Sequence, residues 1–409
     1  MREVVCSAIK FLTSRASVIA FLSIFVMAHP LMTARAAEPE VAAKAAVLME
    51  MRSGKILWAR NKDVPVAPAS TAKILTALVV LEHSHPSDML TVPVAATLAK
   101  GATAQLEGGE RITVRQLLYA LLIHSGNDAA LTLAAHVGGS LSKFAQLMNQ
   151  KARSLGALQS NFLNPTGLPE RGQVTTARDL AVITRAALRN PAFSRIVATN
   201  SHPWKSAKWQ GELKNSNKLL ESYRGAIGVK TGNTAEAGYC LVAAARRGSE
   251  TYIAVLLHGQ EKSVWQDATN LLNYGFKNFT SMSLIDRGET IVTSVVNGAR
   301  VPLAAADAAH YFASFDDLAF PQIQIALEEL QPPIAKGEKL GEAVLRDGDK
   351  EIARVDLVSK VTVPDQLQLI WVVALVSLLL LTLFLVYRRL QRRRNRYIFA
   401  DRSKRLRFR

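Results

Sequence analysis

The sequence predicts an α+β fold, a sheet with helices packed on it, followed by a small β-rich domain and one C-terminal transmembrane helix. Three observations carry that prediction. Strand-like runs near residue 43 and after Tyr223 enclose a helical middle, residues 280–365 change to short β-like runs, and residues 366–387 are apolar and free of charge.

The elements follow in chain order. Residues 1–36 carry basic residues first, then the apolar run Val18 to Ala28, then Ala34-Arg35-Ala36, the three-part pattern of a secretory signal peptide. The apolar run is too short to cross a hydrocarbon core, which needs about 20 residues. AAVLMEMRSGKILWARN reads as two strands around Arg52-Ser53-Gly54-Lys55. Apolar residues at helical spacing mark Thr71 to Glu82, Val114 to Ile123, Asn127 to Val137, Ser142 to Leu155 and Ala177 to Arg189. AIGVKTG, YCLVAAAR and TYIAVLLHG are strand-like, and a helix over 263–275 is expected to stop near Gly275. ETIVTSVV, RVPLAAA, Pro332-Pro333 and DKEIARVDLVSKVTV mark the small β-rich domain. The expected organisation is a signal peptide over 1–36, a main domain over 37–278, the β-rich domain over 279–365, a transmembrane helix over 366–387 and a basic cytoplasmic tail over 388–409.

The chain of 409 residues carries 50 Lys+Arg against 33 Asp+Glu, a net charge of +17 that invites a polyanion partner. The distribution of the charge removes that reading. The signal peptide holds +3, the tail beginning Arg388-Arg389-Leu390-Gln391-Arg392-Arg393-Arg394 holds +10, and only +4 remains on 37–387. Nucleic-acid binding is therefore not expected. By the positive-inside rule the tail stays in the cytoplasm and everything before Gln366 lies outside, with Trp371 and Tyr387 as interfacial anchors. Once Cys6 leaves with the signal peptide, only Cys240 remains, so no intramolecular disulfide forms, and its apolar strand argues against a nucleophile. The eight histidines are scattered, and His83 and His85 do not converge on a helix, so no metal is expected.

Three short elements carry the chemistry: Ser70-Thr71-Ala72-Lys73, Ser125-Gly126-Asn127 and Lys230-Thr231-Gly232. Ser70 opens an apolar helix, so Lys73 shares its face, and a neutral lysine amine so placed takes a hydroxyl proton. Desolvation or a nearby cation, for which Lys230 is the candidate, would lower its pKa. Ser125 and Asn127 lie in a loop between helices, suited to proton relay and to holding a substrate carbonyl. Lys230 and Thr231 offer a cation and a hydroxyl to a carboxylate, and Gly232 lets a peptide backbone approach.

The motifs in this order resemble those of penicillin-binding proteins and serine β-lactamases. KAAVLMEMRSGKILWARN, APASTAKILTALV, LLYALLIHSGNDAALTLA, FLNPTGL, TTARDLA and GVKTGNTAEAGYCLVAAARR narrow the resemblance to the D-alanyl-D-alanine carboxypeptidases over residues 40–280, extending to 365 through the small β domain. The resemblance implies a β-lactamase/transpeptidase-like antiparallel sheet with helices packed on it, and removal of the last D-alanine from peptidoglycan stem pentapeptides. It implies Ser70 as nucleophile, Lys73 as general base, Ser125 as proton donor to the leaving amine, and Lys230 and Thr231 as binders of the terminal carboxylate, which penicillin mimics. It implies Asn127 and Gly232 as further substrate contacts, the N–H groups of Ser70 and Asn233 as the oxyanion hole, and no cofactor. Two features depart from the pattern: Asn233 stands where some relatives carry His, and a full span replaces a surface-lying amphipathic helix. A class A β-lactamase is the nearest rival, but LPERGQV around Glu170 lacks the Glu-x-x-Leu-Asn pattern for a deacylating water. A DD-endopeptidase would use the same residues, and a penicillin sensor would carry a larger cytoplasmic part.

Overall fold

The computed structural model describes residues 38–314 and 321–405; the expected signal peptide lies outside them. The chain opens with β1 (Ala45–Glu50) and β2 (Ile56–Arg60), joined by the expected turn. A 3₁₀ turn, Ala69–Ala72, leads into α1 (Lys73–His83). A small hairpin of β3 (Met89–Thr91) and β4 (Arg111–Thr113) precedes α2 (Val114–Leu122), α3 (Asn127–Gly138), α4 (Leu141–Ser154), α5 (Ala177–Leu188) and α6 (Pro191–Val197). Then come the hairpin of β5 (Ser201–Lys205) and β6 (Gln210–Lys214), the short α7 (Leu219–Ser222), β7 (Ala226–Thr234), β8 (Gly238–Arg247), β9 (Glu250–Gly259) and α8 (Val264–Asn278).

The central sheet has the order β2-β1-β9-β8-β7 and is antiparallel throughout. Its inner strands read as continuous apolar runs because both faces are covered. Val47, Met49, Val242, Ala244, Ile253 and Val255 face the helical core built on α1 to α6, while Leu48, Leu241, Ala243, Tyr252 and Leu256 face α8. α8 runs past Gly275 to Asn278, so the expected stop is corrected. That glycine is a packing position instead: a Cβ there would lie 3.1 Å from the Tyr252 ring and 3.3 Å from Leu48. The close approach of helix to sheet, not a C-cap, explains it.

After α8 the chain is β-rich. β10 (Phe279–Ile285) pairs with β13 (Ala309–Ser314), and β11 (Thr290–Val296), β12 (Ala299–Ala305), β14 (Gln322–Leu327), β15 (Lys339–Asp347) and β16 (Lys350–Ser359) form a sheet of order β11-β12-β16-β15-β14 around its own apolar core. Phe279 and Phe312 stack at 5.7 Å, and Phe312 meets Tyr252 of the central sheet at 6.2 Å, so aromatic packing joins the two parts.

The last element is α9 (Gln366–Arg405), longer than the expected 366–387 because the basic flank continues the helix. Within it Ile370–Gln391 has a mean hydropathy of 2.7 and none of its most apolar stretch is buried against the protein. Twenty-two residues of helix extend about 33 Å, the thickness of a hydrocarbon core.

Candidate active site

Ser70 sits in the 3₁₀ turn, preceded by Ala69 in a left-handed conformation (φ 47°) and followed by α1. Strain of that kind persists only where neighbours impose it. Gly167 packs on the Ala69 carbonyl so tightly that a Cβ there would stand 1.8 Å from the oxygen, and Gly232 faces the backbone N of Ser70, where a Cβ would stand 2.8 Å away. The turn is thus clamped between the Asn164–Leu168 loop and β7. That loop is itself held by Asn164, whose side-chain oxygen accepts from the Thr166 N–H, the Thr166 hydroxyl and the Gly167 N–H.

Lys73, fully buried, lies one turn after Ser70, its Nζ 2.9 Å from Ser70 Oγ and 2.8 Å from the Thr166 carbonyl. Burial pushes its pKa well below the ordinary value, the charge of Lys230 pushes the same way, and Asp128 opposes them. A neutral amine donates one N–H to Thr166 and keeps its lone pair for the Ser70 hydroxyl. An amine and a hydroxyl so placed can act as base and nucleophile.

Ser125 lies in the turn between α2 and α3 with φ 67°. Asn127, the first residue of α3, is buried; its Nδ2 donates to the Lys100 carbonyl at 2.5 Å and its Oδ1 has no protein partner. The neighbouring Asp128 is buried too and accepts from the Ala104 and Leu106 N–H groups, which ties the 100–106 loop to this turn.

Lys230, Thr231, Gly232 and Asn233 run along β7, the edge strand beside the Ser70 turn. Lys230 is buried with its Nζ 2.9 Å from the Thr231 carbonyl, and burial lowers its pKa to about 7. Thr231 Oγ1 is 2.6 Å from Ser216 Oγ, and Asn233 is exposed. Cys240 on β8 is buried with its thiol pushed up to about 11, which keeps it un-ionised.

One cleft of about 430 Å³ brings together Ser70, Ser125, Asn127, Thr231, Gly232 and Asn233, while Lys73 and Lys230 lie buried behind its wall. Ser216, Asp128 and the Thr166 carbonyl belong to the same constellation; Asp128 and Thr166 lie within the blocks LLYALLIHSGNDAALTLA and FLNPTGL, whereas Ser216 lies in none of the quoted blocks. Glu170 is engaged elsewhere: its carboxylate accepts from Asn164 Nδ2 at 2.9 Å. The residues can perform acyl transfer to a serine, with a lysine base, beside an edge strand open to an extended peptide.

Known proteins resemble this chain over most of its length. The family profile described as D-alanyl-D-alanine carboxypeptidase matches residues 32–261, and the profile described as the C-terminal domain of penicillin-binding protein 5 matches 279–365. The D-alanyl-D-alanine carboxypeptidase DacF of Bacillus subtilis is 31% identical over 330 residues, 78% of this chain and 85% of that protein. The crystal structure of penicillin-binding protein 5 from Haemophilus influenzae is 28% identical with a TM-score of 0.67, covering 81% of this chain and 100% of that one. The DD-transpeptidase of Streptomyces K15, solved as a mutant, is 36% identical with a TM-score of 0.56 over 59% of this chain and 100% of its own.

Proposed function

The chain belongs to the D-alanyl-D-alanine carboxypeptidase family of serine peptidases, penicillin-binding hydrolases of peptidoglycan, and from that premise we propose how its residues carry the reaction. Ser70 Oγ attacks the carbonyl carbon between the last two D-alanines of a stem pentapeptide while its proton passes to Lys73. The N–H groups of Ser70 and Asn233 hold the developing oxyanion, a contribution of about 3–4 kcal/mol for each such donor. Ser125 relays that proton from Lys73 to the leaving amine, D-alanine departs, and water hydrolyses the ester left on Ser70 with Lys73, neutral again, as base. Asn127 and Gly232 contact the acyl part of the substrate.

Lys230 and Thr231 bind the terminal carboxylate. With a pKa of about 7, Lys230 is only partly charged in the free enzyme at neutral pH. An arriving carboxylate favours its charged form, so substrate binding is coupled to proton uptake. The same carboxylate chemistry admits penicillin. The proposed organisation is a catalytic domain over 37–278, the β-rich domain over 279–365 as a spacer, and a single-pass span over 366–387 whose basic flank holds the C-terminus in the cytoplasm, with the enzyme on the extracytoplasmic side.

The 2.9 Å approach of Lys73 Nζ to Ser70 Oγ carries this reading. Incubating the full chain in detergent with a pentapeptide ending in Lys-D-Ala-D-Ala and following free D-alanine tests it, with Ser70→Ala as control. Release by the wild type and none by the variant is expected; release by both would refute the role of Ser70.

A further inference from the structure

The far end of the same cleft bears on the third residue of the stem peptide. β7 is an edge strand, free on its outer side to accept an extended peptide as an added strand. With the terminal carboxylate at Lys230 and Thr231, the stem runs toward Thr234 at about 3.3 Å per residue. The last D-alanine then lies beside Thr231, the preceding one beside Gly232 and Ser70, and the third stem residue beside Asn233. In the sheet Thr231 and Asn233 pair with Leu241 and Tyr239, which belong to the α8 side, whereas Gly232 turns toward Ser70. By strand alternation the third residue's side chain shares the α8 side with Asn233.

On that side the cleft is walled by Tyr239, Glu261, Trp265 and Lys218. The Glu261 carboxylate beside the Tyr239 hydroxyl holds that hydroxyl's pKa above its usual value. Lys218 Nζ stands 5.8 Å from the centroid of the half-buried Trp265 ring. Among the described residues neither Glu261 nor Lys218 has an ion-pair partner. An anion and a cation left unpaired beside an aromatic face match a ligand group that carries both charges on an aliphatic chain.

The geometry points to a subsite in which Glu261 holds the ammonium and Lys218 the carboxylate of a diamino dicarboxylic third residue such as meso-diaminopimelate, its methylenes against Trp265. The assignment rests on the carboxypeptidase reading above. It is tested on the full chain in detergent with three pentapeptides that differ only at the third residue: meso-diaminopimelate, L-lysine and L-norleucine. The expected order of kcat/KM is the order in which they are named, with about tenfold between first and last, as befits two partly exposed ion pairs. Glu261→Gln and Lys218→Met are each expected to narrow that ratio about threefold, while labelling by a fluorescent penicillin reports that the Ser70 site is folded. Equal kcat/KM for the three peptides, or a ratio that survives both substitutions, overturns the subsite. Release of D-alanine from none of them by the wild type would instead overturn the carboxypeptidase reading.

Discussion

Replacing Gly167 by alanine tests whether the loop behind Ser70 sets the geometry of the nucleophile. The residue has φ +80°, where a side chain costs about 1–2 kcal/mol. Its Cβ would also fall 1.8 Å from the Ala69 oxygen and 2.5 Å from the Ala69 carbon, against an ordinary contact that starts at 3.4 Å. The loop or the turn must therefore retreat by about 1.6 Å, and neither can do so by rotating a side chain, since both partners are backbone. Overpacking of this kind adds about 1–3 kcal/mol, so the total is about 2–5 kcal/mol. For a domain of this size that is a fall in Tm of about 5–15 °C, read by circular dichroism. The retreat also moves Ala69, next to the nucleophile, and Thr166, whose carbonyl holds Lys73 Nζ at 2.8 Å. A displacement of about 1 Å costs about 100-fold in rate, so acylation by a fluorescent penicillin should slow by at least about that factor. A Gly167→Ala variant that melts within about 2 °C of the wild type and acylates within about threefold of its rate would refute the argument.

Gly232→Ala needs a smaller adjustment, since its Cβ would stand 2.8 Å from Ser70 N, and is expected to slow acylation by more than about tenfold with a smaller change in Tm than Gly167→Ala; an unchanged rate would contradict the clamp. Lys230 titrates near 7 when folded and near 10.5 when unfolded, so between those values the unfolded chain holds the extra proton and stability rises with pH. Lys230→Met should therefore be more stable than the wild type at pH 6, with the advantage shrinking toward pH 10 by up to about 1.4 kcal/mol per unit; a constant difference in denaturant midpoint would refute the desolvation cause. Cys240 should resist iodoacetamide at pH 8 in the folded protein and react after unfolding, as mass spectrometry would show; rapid reaction in the native state would mean that its burial is wrong.

Much of the architecture was legible because its signals are local. The turn after Glu50, the periodicity of α1 to α5 and the three apolar strands each declare themselves within about ten residues. α7 and the short hairpins β3–β4 and β5–β6 did not, since elements of three to five residues are too short for a periodic pattern to stand out. α6 was missed although Asn190 caps it through the Ala192 and Phe193 N–H groups and Pro191 opens it, a signal the sequence does contain. Gly275 misled because a glycine near a helix end also serves close packing, and only Tyr252 and Leu48 on the sheet beneath distinguish the two.

In the site, the pairing of Ser70 with Lys73 follows from helix geometry alone, because residues three apart share a face. The meeting of that pair with Thr166 and with β7 depends on contacts across 93 residues and more, made by sheet pairing and loop packing that no local spacing encodes. The protonation of Lys73 and Lys230 belongs to the same category. The sequence names both as lysines in the expected motifs, but their pKa values are set by burial, which exists only once the helices have closed over the sheet. Residue identity and order thus determine the chemistry available, and tertiary packing decides which groups are dry, strained and close enough to use it.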